Sequence, residues 1–183
     1  MSEARTEAST EASTATSALG ARLRAAGEAY SPDEERPLRG YVGAMAAYAG
    51  LVAAVAAATR SRGLPERISP WDVLLLSVAT HRLARTISKD AVASPLRAPF
   101  TRYRGAAAPS ELAEEVRDDG PVRHAVGELL TCPFCLAQWV ATGFTAGHLL
   151  APRGTRAVAA TLTAVAGADF LQYAYAKAQA SAH

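Results

Sequence analysis

Apolar and polar positions fall in long blocks along this chain, and three of the apolar blocks are long enough to predict membrane-spanning helices. Tyr41–Thr59 is a run of nineteen residues without a charge, bracketed by Arg36 and Arg39 before it and by Arg60 and Arg62 after it. Pro133–Leu150 is a second uncharged run, of eighteen residues. At about 1.5 Å per residue it makes roughly 27 Å of helix, close to the ~30 Å core of a bilayer. Ala157–Ala176, bounded by Arg156 and Lys177, holds a single charge, Asp169. Only Ala151 to Arg156 separates it from the preceding block, so residues 129–176 are predicted to form an antiparallel helical hairpin.

A fourth apolar stretch, Trp71–Ile87, starts with a helix signal: Ser69 to cap and Pro70 to open the first turn. Its second half carries Arg82 and Arg85, with Lys89 just beyond, so it either crosses the bilayer with these side chains reaching an interface or lies along the surface. Residues 88–128 read as a polar loop region. Within it, Ser110 followed by Glu111, Glu114 and Glu115 predicts an acidic helix near Ser110–Arg117. Residues 1–37 are rich in Ser, Thr, Ala and Glu and poor in large apolar side chains. They are expected to lack structure apart from a short helix at Leu19–Ala29, and they lack the pattern of a signal peptide. The expected fold is all-α: a helical membrane protein of three to four transmembrane helices with a C-terminal hairpin. It divides into a tail (1–37), an N-terminal transmembrane helix (38–62) and a main domain (71–177) made of the 71–87 helix, the 88–128 loop and the 129–176 hairpin.

Charge orients this arrangement. Residues 60–128 hold eleven of the nineteen Lys and Arg residues, which places the region mainly on the cytoplasmic side. If Trp71–Ile87 stays on the surface there are three spans and an external N-terminus. If it crosses there are four and a cytoplasmic N-terminus, with Arg60, Arg62 and Arg67 left outside. Both arrangements put residues 88–128 and the Cys132 end of the central helix on the cytoplasmic side. The location expected is therefore the cell membrane, multi-pass. The mean hydropathy of +0.04 averages these blocks with a polar tail and a charged middle. A net charge of +2, with no basic stripe interleaved with aromatics, argues against nucleic acid as a partner.

The most specific chemistry is CPFC, Cys132 to Cys135. Pro133 suits the first helical position, which puts Cys132 at the N-cap, where free backbone N–H groups and the helix dipole favour a thiolate. Two cysteines supply half of a usual zinc set, and His148 lies thirteen residues beyond Cys135, about 20 Å along the helix. Only His81 or His124 remains to complete a site within one chain. Gly143 and Gly147 form a GxxxG, and Ala160, Ala164 and Ala168 form a small-residue stripe on the next helix, together predicting close helix packing. A carboxylate inside a spanning run usually faces a partner, so Asp169 is expected to meet Arg82 or Arg85. Arg97, Arg102 and Arg104, interleaved with Phe100 and Tyr103, form a candidate grip for lipid phosphates.

Arg82, Leu83 and Arg85, then Asp90, then Pro95, Leu96 and Arg97, then Leu130, Thr131, Cys132, Pro133, Phe134, Cys135 and Trp139 together resemble a bacterial family of small integral membrane proteins, domain of unknown function 1360. The resemblance runs from about Trp71 to Ala176. Phe134 stands where an aromatic, often Trp, is usual, and His81 where an aromatic is common. The family has no assigned activity and includes a sporulation protein, so the resemblance implies an envelope setting, sporulation-related in one branch, and no reaction.

The reading that follows is a small membrane protein with a structural or interaction role in the bacterial cell envelope, not an enzyme. Its partners are the lipid bilayer and either a second copy or another membrane protein, and no cofactor is expected. Arg82, Arg85, Asp90, Arg97, Trp139, Gly143, Gly147 and Asp169 are its structural or interaction residues. The alternatives are a membrane thiol–disulfide oxidoreductase acting through Cys132 and Cys135, and a metal-binding membrane protein using the same two thiols.

Overall fold

A computed structural model of the chain describes residues 2–31, 36–60 and 67–182, with side chains from residue 17 onward and that of Thr14. Residues 32–35 of the expected tail, and Arg62 at the flank of the first apolar block, lie outside the described residues. The described chain is mostly helical, with seven α-helices: α1 (Ser2–Tyr30), α2 (Leu38–Arg60), α3 (Pro70–Lys89), the single turn α4 (Ser94–Arg97), α5 (Pro121–Thr131), α6 (Pro133–Leu150) and α7 (Pro152–Ser181). Where the sequence led us to expect an unstructured tail with a short helix, α1 is continuous. Ala, Glu and Arg, among the better helix formers, recur through it and no proline interrupts it.

The core of the bundle is made by α3, α6 and α7. Leu76 and Ala79 of α3, Phe144 of α6 and Ala159 of α7 are buried together, with Leu75, Leu83, Val140 and Leu162 packed around them. The side-chain contacts give the helix directions. From α3 to α7 they run Asp72 to Arg156, Leu75 to Thr163 and Arg82 to Asp169, advancing together, so these two helices are parallel. His148, near the end of α6, lies beside Asp72 at the start of α3, so α6 is antiparallel to α3. The α6–α7 turn is a single residue, Ala151, shorter than the expected link because α7 begins at Pro152. The small-residue stripe expected to pack is turned outward. Ala160, Ala164 and Ala168 are exposed, while Ala159 and Ala166 are buried. The bundle face of α7 follows the i, i+3, i+7 spacing of 159, 162 and 166 and excludes the neighbouring alanine row.

α2 lies against α5 and α6. Tyr48 donates or accepts a 2.9 Å hydrogen bond with Thr142 and meets Trp139 edge-on, with ring centroids 5.2 Å apart. Nearer its start, Gly40 passes so close to α5 that a side chain there would collide with the Pro121 carbonyl and Ala125. Among the described residues, α2 alone meets the requirement for a span by length and apolar content, or two segments do if α5 and α6 form one broken span bent by 83°. The α6 run includes Gln138, Trp139 and His148, and α7 is diluted by Thr, Gly and Asp169, so both are less apolar than their lack of charge suggested.

The acidic helix expected near Ser110–Arg117 is instead half of a β-hairpin, β1 (Thr101–Ala108) paired antiparallel with β2 (Glu111–Val116). Ser110 does not cap a helix. It sits at φ 65° as the second of two turn residues, after Pro109, the proline-then-positive-φ order of a tight turn. Strand alternation then places Leu112, Glu114 and Val116 on one face, and it is there that Glu114 meets Arg97.

Candidate functional site

Three polar clusters stand out on the apolar bundle. The first closes the C-terminal end of α3. Arg97 is completely buried and its carboxylate partner, Glu114, is 6% exposed. The guanidinium reaches Glu114 through Nε (2.5 Å) and Nη2 (3.2 Å), and donates to the carbonyls of Ile87 (2.6 Å) and Asp90 (3.2 Å). One side chain thus ties together the end of α3, the following turn and the hairpin. Arg82 reaches Asp90 at 3.0 Å, and its Nε lies 3.2 Å from Asp169 as an ion pair without hydrogen-bond alignment. Arg85 pairs with Glu111 at 2.5 Å. Of the sequence-selected residues, the fold brings Arg82, Arg85, Asp90, Arg97 and Asp169 into one region and adds Glu111 and Glu114.

The second cluster lies at the other end of α3. Asp72, buried, takes two 2.8 Å hydrogen bonds from Arg156, and His148 Nε2 is 3.7 Å from the same carboxylate. Sequence reading did not select Asp72 or Arg156. The available signal was a lone acid in the first turn of an otherwise apolar helix start, which the helix dipole also favours. In the third cluster, Glu128 on α5 accepts from Tyr41 and pairs with Arg36 (3.4 Å), with His124 Nε2 also at 3.4 Å. It fastens α2 to α5.

The cysteines lie at the elbow between α5 and α6. Cys132 is the N-cap of α6, and its Sγ accepts from the Cys135 backbone N–H at 3.3 Å. Burial works against the Cys132 thiolate. The Cys135 thiol, the backbone N–H groups of Cys135 and Phe134 and the Lys89 ammonium outweigh it and hold the Cys132 thiol below its ordinary range. Cys135 is exposed, as is Phe134 between the two cysteines, at 89%. Both thiols are free, and among the described residues no third His, Cys, Asp or Glu gathers with them to hold a metal ion. Trp139 faces Tyr48 on α2. Gly143 and Gly147 differ: a side chain at Gly143 would meet nothing within 4 Å, whereas at Gly147 its Cβ would lie 2.8 Å from Thr155 Oγ1.

The class defined by this geometry is a helical bundle whose polar groups are spent mainly on tying elements together. A family model described as protein of unknown function (DUF1360) matches residues 75–175, more than half of the chain, and the chain belongs to that family. The match takes in α3 from Leu75, the hairpin, the cysteine elbow and most of α7, and leaves α1 and α2 outside it. No curated protein and no solved structure matches the chain.

Proposed function

We propose that the chain is a multi-pass membrane protein with a structural or interaction role in the bacterial cell envelope, and that α2, α3, α6 and α7 all cross the bilayer. The observation that carries this reading is the bareness of α2. Its most apolar eighteen-residue window has a mean hydropathy of 1.8, yet only 6% of that window is buried. The core helix of a water-soluble bundle would be mostly covered by protein, so lipid or a partner helix is the natural cover here. Two further features support it. Asp72 and Asp90, which hold the polar clusters at either end of α3, are eighteen residues apart, or roughly 27 Å of helix against a ~30 Å bilayer core. Helix direction also alternates in chain order through α2, α3, α6 and α7, as four successive crossings require.

In this arrangement the N-terminus, the hairpin and the cysteine elbow share the cytoplasmic side. α5, bent 83° from α6, then runs along the membrane surface. Arg82 lies near the middle of the span, and its charge is met inside the bundle by Asp169 and by Asp90, the pairing expected of an ionisable side chain within a membrane. The family resemblance extends the setting to sporulation in the spore-forming branch. Sided labelling of Cys135 with a membrane-impermeant maleimide tests the topology. Reaction in inverted vesicles and none in intact cells is expected; the reverse would turn the protein around.

A second reading, thiol–disulfide exchange, is favoured by the Cys132 geometry. A thiolate at the N-cap would attack a partner disulfide to form a mixed disulfide and release the partner's other sulfur as a thiol, and Cys135 would resolve the link. The Cys135→Ala variant is then expected to trap a defined partner through Cys132, and Cys132→Ala to trap none. If the thiols only pack at the elbow, neither variant traps anything and both change stability modestly.

A further inference from the structure

The guanidinium-rich stretch after α4 is divided by the fold into used and unused charges. Arg97 is consumed by Glu114 and Arg104 by Glu115. Arg102, directly opposite Glu115 in the strand register, has no ionic or hydrogen-bonding partner among the described residues. Beside it, Arg117 gives its Nε–H to the Thr101 carbonyl at 2.9 Å and, among the described residues, otherwise has only Asp119, 4.0 Å away. Both arginines line one cleft of about 520 Å³ between α4 and the hairpin, together with Ser94, Thr101 and Tyr103.

The remaining charge in the cleft is the Glu114 carboxylate, and it is offset. Both its oxygens accept from Arg97, and Oε2 also has the Thr101 hydroxyl at 3.4 Å. The cleft is therefore lined by Arg102, unpaired among the described residues, and by Arg117, whose one ionic contact among them is Asp119 at 4.0 Å, with Ser94 and Tyr103 beside them. Arginine forks match the oxygen spacing of phosphate, and hydroxyls complete the remaining acceptor sites. The cleft is wide enough for a headgroup-sized anion.

We propose that this cleft binds a phosphate-bearing anion, held between Arg102 and Arg117. In the membrane arrangement above, on which the lipid version of this site rests, the cleft lies at the cytoplasmic interface where anionic headgroups are concentrated. Exposed Val92 and Leu96 on the adjoining segment, together with Tyr103, supply apolar surface at the same end of the bundle.

The test uses the full chain purified in mild detergent. Retention of phosphatidylglycerol is measured by native mass spectrometry, with inorganic phosphate as a competing probe, for the wild type, Arg102→Gln, the Arg102→Gln/Arg117→Gln pair and Arg123→Gln. Arg123 is a control outside the cleft whose partner is Asp119. The expected result is a tenfold or greater loss of retained lipid in the double variant, a smaller loss in Arg102→Gln and none in Arg123→Gln. Lipid that survives millimolar phosphate identifies a headgroup site, and lipid displaced by phosphate identifies a free-phosphate site; both support the assignment. Equal retention by wild type and double variant, or no binding of either probe, overturns it. Arg102 holds no structural contact, so its single variant folds and stays informative. Membrane extraction of the same preparations separates the two failures: an embedded protein with an indifferent cleft sinks only this site, and a soluble protein whose cleft binds phosphate sinks only the membrane arrangement.

Discussion

Replacing Arg97 with Ala is expected to destabilise the fold by about 3–5 kcal/mol, enough to remove most folded protein from a detergent preparation. The side chain has no solvent exposure, and its loss strands the Glu114 carboxylate in a site where it is only 6% exposed. It also removes the donors that serve the Ile87 and Asp90 carbonyls, so the end of α3 loses its connection to the hairpin. Melting temperatures would check this, together with a second variant. Arg97→Met combined with Glu114→Leu removes both charges and is expected to recover part of the loss, because a large share of the damage is the orphaned carboxylate. A single Arg97→Ala variant that melts with the wild type would show that the buried pair is not what joins these elements.

Gly147→Ile and Gly143→Ile are expected to differ sharply although they occupy one motif. A side chain at Gly147 is driven into Thr155 at the tight α6–α7 turn, where the single residue Ala151 leaves little room to relax. A loss of about 1–3 kcal/mol is expected, the usual scale of overpacking. At Gly143 the added side chain enters open space, and the stability of the isolated chain should change by no more than about 0.5 kcal/mol. Equal losses at both positions would contradict the packing described here. A change in oligomeric state confined to Gly143→Ile would mean that this open face meets a helix from another molecule.

The elements most legible in the sequence were those set by local chemistry. Ser69 accepts from the Trp71 N–H and Pro70 opens α3, as the Ser-Pro pair indicates, and the same reasoning placed Cys132 and Pro133 at the start of α6. Asp169 advertised its need for a partner by being a lone carboxylate in an apolar run, and its nearest cation is Arg82. The hairpin was hidden because Glu111–Val116 is composed of good helix formers, and because Ser110 ahead of three glutamates imitates an N-cap. What decides the outcome is pairing with a strand ten residues earlier, which composition does not record. Arg97 was harder still. In Ser-Pro-Leu-Arg it looks like an exposed loop cation, and its burial depends on Glu114, seventeen residues away, and on carbonyls released where α3 ends. Asp72 and Arg156 are eighty-four positions apart, and only the parallel packing of α3 against α7 joins them. Absence of charge and strong apolarity are different properties: among the described residues α2 alone passes by itself on length and apolar content, while α6 and α7 carry polar uncharged residues within their runs.

Alkaline carbonate extraction of membranes from cells producing the full chain tests the central reading most directly. A protein whose α2 and three-helix bundle lie within the bilayer stays in the membrane pellet at high pH and enters solution only with detergent. Recovery of folded protein in the carbonate supernatant would contradict the membrane arrangement and make the bare face of α2 a contact surface for another protein.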